Sequence, residues 1–136
     1  MPLTRKLAVY AVTLAVMLAL DALWLGVVAQ RLYQQGLGPL LAAQPRLGAA
    51  ALFYLVYPLG LTIFAVLPHA GQRGPRRAAV SGALFGFFAY ATYDLTNLAT
   101  LAGWPLGLSL LDMAWGAALS AVAATAGKAM LDRRAG

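Results

Sequence analysis

Four long apolar stretches, separated by short polar connections, set the plan of this chain: Leu7–Ala29, Gly48–Leu67, Ala78–Leu101 and Leu108–Gly127. Each is long enough to cross about 30 Å of hydrocarbon as a helix rising about 1.5 Å per residue. The pattern predicts an all-α, polytopic membrane protein with four transmembrane helices in one bundle, a single domain over residues 1–136. The first stretch follows Arg5 and Lys6 as a signal peptide would. It is too long for the apolar core of one, and Asp21 and Trp24 interrupt it, so it reads as an uncleaved helix. Gln30 to Leu47 is the longest connection, with Tyr33, Gln34, Gln35, Gly36, Pro39 and Pro45, and its middle, Leu37–Ala43, is suited to lie flat in the interface. The connection from Pro68 to Arg77 holds His69, Gly71, Gly74 and Pro75, a turn with a positive anchor, and Ala102 to Gly107 is a tight Gly-Trp-Pro turn.

Composition agrees. The chain is 62% hydrophobic and 10% charged, against about 25% charged in soluble domains. With no cysteine, disulfides, thiol catalysis and cysteine-ligated metals are excluded. The net charge of +6 does not point to nucleic acid, because the basic residues sit at helix ends rather than in a stripe. They report topology. Arg5, Lys6, Arg73, Arg76, Arg77, Lys128, Arg133 and Arg134 fall on one side, leaving only Arg31 and Arg46 of the ten on the other. That bias places both termini in the cytoplasm.

The candidate chemistry lies in the acidic residues. There is no glutamate, and three of the four acids, Asp21, Asp94 and Asp112, lie within or at the mouth of the apolar stretches. A carboxylate at the centre of a spanning helix costs about 2.5–3.5 kcal/mol to insert and turns to the protein interior or to water. Counting along the spans puts all three in the outer half of the bundle, with Tyr54 and Tyr57 at similar depth; the cytoplasmic half is almost wholly Ala, Val, Leu, Phe and Gly. Tyr90, Tyr93, Asp94, Asn97 and Thr100 recur at three- and four-residue intervals, one stripe of a helix. Gly82 and Gly86, and Gly116, Ser120 and Ala124, are small-residue rows that permit close helix contact.

Structural roles compete with functional ones at each position. Ser109-Leu-Leu-Asp112 matches a capping box. Asp94 suits a buried hydrogen-bond node, and Asp21 a partner for Tyr54 or Tyr57. Trp24, Tyr33 and Trp104 fit an interfacial belt, His69 an ordinary loop, and Pro58 a kink that opens space beside Tyr54 and Tyr57. No Lys, Arg or His lies at membrane depth to neutralise the aspartates, so like charges sharing a cavity require protonation, a bound cation or water. Mg²⁺ or Ca²⁺, a hard divalent cation held by Asp21, Asp94 and Asp112, suits such oxygens; a cationic substrate or a proton relay suits them equally. A histidine- or cysteine-ligated transition metal does not.

The runs Asp21-Ala-Leu-Trp24-Leu-Gly26, Phe53-Tyr54-Leu-Val-Tyr57, Tyr90-Ala-Thr-Tyr93-Asp94-Leu-Thr96-Asn97-Leu-Ala-Thr100 and Asp112-Met-Ala-Trp115-Gly116 resemble a bacterial family of small membrane proteins, domain of unknown function 2177. The resemblance covers nearly the whole chain and implies a four-helix protein of the bacterial inner membrane. Two functional classes follow from the residues. The first is binding, extending to transport, of a small cationic or protonatable ligand or ion in an acidic cavity lined by Asp21, Trp24, Tyr54, Tyr57, Tyr93, Asp94, Asn97, Thr100, Asp112 and Trp115. The second is a membrane-embedded enzyme acting on a lipid or isoprenoid, with an aspartate as base or metal ligand and a tyrosine as acid. Partners are then the lipid bilayer and the small ligand, with a homo-oligomer left open.

Overall fold

In the computed structural model, which describes residues 1–135, the chain is all-helical, with no strand among the described residues. It forms α1 (Leu3–Leu23), α2 (Gln30–Leu37), α3 (Leu47–Leu61), α4 (Arg76–Thr100) and α5 (Leu106–Ala135). α1 and α3 do not stop at these limits. Each continues through a wide π turn, Trp24–Val28 and Thr62–Val66. Three rods are long and apolar enough to cross a membrane, Leu3–Val28, Leu47–His69 and Leu106–Arg134. α4 is as long, but Tyr90, Thr92, Tyr93, Asp94, Thr96 and Asn97 lower its mean hydropathy.

α4 lies along α5, and α1 packs on the other side of α5. Small residues make the α4–α5 contact close, as their spacing predicts. A Cβ added at Gly82 would stand 2.6 Å from the Ser120 carbonyl oxygen and 2.7 Å from the Ala124 Cβ, nearer than real atoms approach. α3 leans on α1 through Leu61 and reaches α4 and α5 through the Thr62–Val66 turn. Pro58 sits inside α3 and has no N–H for the Tyr54 carbonyl. The wide turn begins four residues later, with the Thr62 hydroxyl donating to the Pro58 carbonyl at 2.8 Å.

The two termini share one end of the bundle, where the Arg5 guanidinium donates to the Leu131 carbonyl at 3.0 Å. This half is packed solid by Val9, Met17, Leu61, Val66, Leu119, Ala123 and Leu131. It is closed by Lys128, which is fully buried and donates both to the Gln72 carbonyl and to the Asp132 carboxylate. Asp132 also accepts the Gly74 N–H at 3.1 Å, so one ion pair ties the 70–75 loop to α5. Removing a partner from a buried pair costs about 3–5 kcal/mol; Asp132 is 29% exposed, which lowers the expected loss. Lys128→Met should reduce stability by about 1–3 kcal/mol, seen as unfolding at lower denaturant in mixed micelles, and an unchanged midpoint would show the clasp to be dispensable.

At three places the fold goes beyond the sequence pattern. The connection that holds Leu37–Ala43 also contains a helix that begins seven residues earlier, Gln30–Leu37, ended by Gly38 at φ 37°, which only glycine adopts without strain. Its residues Tyr33, Gly36 and Leu37 turn inward at helical spacing. The fourth apolar stretch ends at Gly127, and α5 continues beyond it to Ala135. His69 is more than a loop residue: its ring nitrogen pairs with the Ser81 hydroxyl at 2.8 Å, fastening the turn to α4.

Candidate functional site

A cavity of about 490 Å³ occupies the half of the bundle away from the termini. Each element that lines it brings side chains by simple helical spacing. α1 and its π turn supply Asp21, Trp24 and Leu25, α2 supplies Tyr33 and Leu37, and α3 supplies Phe53, Tyr54 and Tyr57. α4 supplies Ala89, Tyr90, Tyr93 and Asp94, and α5 with its preceding turn supplies Trp104, Leu108, Asp112 and Trp115. No lysine, arginine or histidine is among the lining residues.

The three aspartates have different surroundings. Asp21 is held from both sides: Tyr54 donates to one oxygen at 2.7 Å and the Trp115 indole N–H to the other at 3.0 Å. The Trp115 ring stacks on Trp24, centroids 4.4 Å apart and nearly parallel, which fixes the indole donor. Asp112 accepts the Tyr33 hydroxyl at 2.6 Å, and Trp24 donates in turn to the Tyr33 oxygen, a long 3.4 Å contact. Tyr33 lies outside the spans; burial, then the bond to Asp112, push its phenol above the ordinary tyrosine range, so it stays protonated and serves as donor. Asp94 adjoins Asp112 and is only 2% exposed, yet its Oδ2 is buried without any hydrogen-bond partner.

Asp112 is thus no helix cap. α5 begins at Leu106, so Ser109 and Asp112 are already inside the helix. The Ser109 hydroxyl bonds back to the Pro105 carbonyl at 2.9 Å and accepts the Trp104 indole N–H at 3.0 Å. The capping-box spacing arises by coincidence from a Pro105 start one turn earlier.

Of the ten residues singled out from sequence, eight line the cavity: Asp21, Trp24, Tyr54, Tyr57, Tyr93, Asp94, Asp112 and Trp115. Asn97 and Thr100 lie further along the stripe and do not line it; the Thr100 hydroxyl bonds to the Thr96 carbonyl at 2.8 Å. Asp21 takes Tyr54 rather than Tyr57, which pairs with the Ser120 hydroxyl at 2.6 Å. Tyr33 and Trp104 were expected in an interfacial belt with Trp24, and all three face the cavity instead. The signal for Tyr33 was present in the spacing of Tyr33, Gly36 and Leu37, a short amphipathic face. Among the described residues no three His, Asp or Glu side chains stand close enough to hold one metal ion. Asp21, Asp94 and Asp112 therefore do not form a joint ligand set. The arrangement offers a carboxylate pair walled by tyrosine and tryptophan rings.

The family model described as "Predicted membrane protein (DUF2177)" matches residues 6–129. No curated protein and no solved structure matches the chain.

Proposed function

The chain belongs to the predicted membrane protein family DUF2177, and from that premise we propose that it binds a small organic cation, an amine carried as its ammonium ion, at Asp94 and Asp112. The carrying observation is Asp94, whose buried oxygen has no donor within a cavity that contains no basic residue. A carboxylate taken out of water needs a proton or a counter-ion. An ammonium ion supplies the charge and the missing donor together, and Tyr90, Tyr93 and Trp104, which line the same cavity, carry aromatic rings of the kind that attract cations. The cavity volume lies within the range of small-ligand sites.

In this reading the protein is a four-span protein of the bacterial inner membrane, α4 being the further span. Its support is the exposed apolar face of α4 (Val80, Leu84, Phe87, Phe88 and Leu95), which needs lipid beside it. Eight of the ten basic residues accompany the end that carries the termini, which makes that end cytoplasmic and the cavity outward-facing. Asp21 stands apart from the Asp94–Asp112 pair, held by Tyr54 and Trp115, and two carboxylates without a third favour an organic cation over a divalent metal.

Ligand binding to the folded state stabilises it by RT ln(1 + [L]/Kd), about 2.7 kcal/mol at a hundredfold excess over Kd. The expected result is a melting temperature that climbs with alkylammonium concentration in the wild-type protein and stays flat in Asp94→Asn. Equal rises in both proteins would place the ion elsewhere. A rise with Mg²⁺ or Ca²⁺ but not with ammonium ions would replace the organic cation by an inorganic one.

A further inference from the structure

Resting on the cation site just proposed, this inference concerns the rest of the ligand and the side from which it comes. The cavity is walled on three sides. α1 and α5 close the back through Asp21 and the Trp24–Trp115 stack. α2 roofs it, with Gly36 so close that an added Cβ would lie 3.1 Å from Leu108. Trp104 meets Tyr93 edge to face, centroids 5.7 Å apart, and closes the α4–α5 turn.

The fourth side, between α3 and α4, is built differently. α4 approaches the α3 rod chiefly at the Thr62–Val66 turn, while the Leu47–Leu61 part leans on α1. From that turn outward the two helices part. Tyr57 bridges them first, at 5.5 Å from Phe85 and 5.9 Å from Tyr90 between ring centroids. Beyond it the cavity-lining rings of Phe53 and Tyr93 are 39% and 54% exposed. Exposed apolar residues lie on both helices, Leu52 and Val56 on α3 and Phe88 and Leu95 on α4, and the exposed Thr92 and Thr96 beside Tyr93 turn their hydroxyls back onto the Phe88 and Thr92 carbonyls, a surface suited to hydrocarbon.

We propose that the gap between α3 and α4 is a lateral doorway to the bilayer, and that the ligand is a membrane-borne lipophilic amine. Its ammonium head sits at Asp94, and its alkyl tail runs out past Phe53 and Tyr93 into the lipid. A hydrophilic amine or bare ion gains nothing from a doorway rimmed by leucine, valine and phenylalanine. An amphiphile keeps its chain in hydrocarbon throughout and brings only the head to the carboxylate.

The test uses a property of the chain itself: its three tryptophans, Trp24, Trp104 and Trp115, all line the cavity, so intrinsic fluorescence reports occupancy. The whole protein in phosphatidylcholine nanodiscs is titrated with n-alkylammonium ions from butyl to decyl. With the tail in hydrocarbon, Kd referred to free aqueous ligand falls about tenfold for every two methylenes, following ~0.8 kcal/mol for each one removed from water. Asp94→Asn raises Kd at least about tenfold for every member, and alkanols of the same lengths do not compete. A flat series in which butylammonium still binds through Asp94 overturns the doorway and leaves the cation site standing. No binding by any member overturns both.

Discussion

Gly86→Leu is expected to leave little folded protein. A Cβ at this position would fall on the Gly116 carbonyl oxygen and on the Ser120 side chain. The first of these is main chain in the middle of α5, and no rotamer change can move it aside. Overpacking a core by a methylene or two costs about 1–3 kcal/mol when neighbours can shift. Here the first carbon already collides with a helix backbone, so α4 must separate from α5, and a loss of at least about 3 kcal/mol is expected. The smaller change makes the sharper comparison. Gly→Ala inside a helix stabilises by about 0.5–1 kcal/mol when there is room. Gly48→Ala, in the first turn of α3 with nothing within 4 Å of its added carbon, should show that gain, whereas Gly86→Ala should show a loss. Unfolding midpoints in mixed micelles read both. The same sign at the two positions would mean that the helices are not in close contact.

Asp21→Leu and Asp94→Leu are expected to behave oppositely, although both remove a buried acid. Asp21 accepts from Tyr54 and Trp115, and its loss strands two donors at about 1–3 kcal/mol each. With both donors partly buried, a net loss of about 2–4 kcal/mol is expected. Tyr54→Phe in the same chain should recover part of it, because one stranded group then disappears. Asp94 has a buried oxygen that nothing satisfies, so Asp94→Leu should be neutral or stabilising while ligand binding is lost. If Asp94→Leu destabilised the protein as much as Asp21→Leu, Asp94 would be a structural node and the cation site would lose its foundation.

This contrast marks where the sequence stopped being readable. Helix positions follow from runs of apolar residues, and the close face of α4 follows from Gly82 and Gly86 four residues apart, because both depend on one helix at a time. The division of labour among the aspartates depends on how helices are rotated against one another. Asp21 had Tyr54 and Tyr57 as equally spaced candidates, and only the packing of α3 on α1 selects Tyr54. Tyr33 and Trp104 were misread for a different reason. An aromatic residue beside a span has the same composition signal at the lipid interface as at a cavity mouth, and only the placement of α2 and of the α4–α5 turn brings Tyr33 and Trp104 to the cavity. Asn97 and Thr100 share the stripe of Asp94 but do not line the cavity.

The Lys128 clasp limits what the cavity at the opposite end of the bundle can accomplish. A passage through the molecule would have to cross the solid core of Val9, Met17, Leu119 and Leu131 and part the Lys128–Asp132 pair behind it. If opening that end costs about 1–3 kcal/mol, as expected for loss of the Lys128 clasp, the through-open form is a minority of molecules at rest, on the order of a tenth or less. A ligand held at the proposed site would therefore leave, in nearly every visit, by the side from which it entered. Net movement across the membrane would be slow against exchange on one side, and its rate would be governed by a lysine far from the ligand.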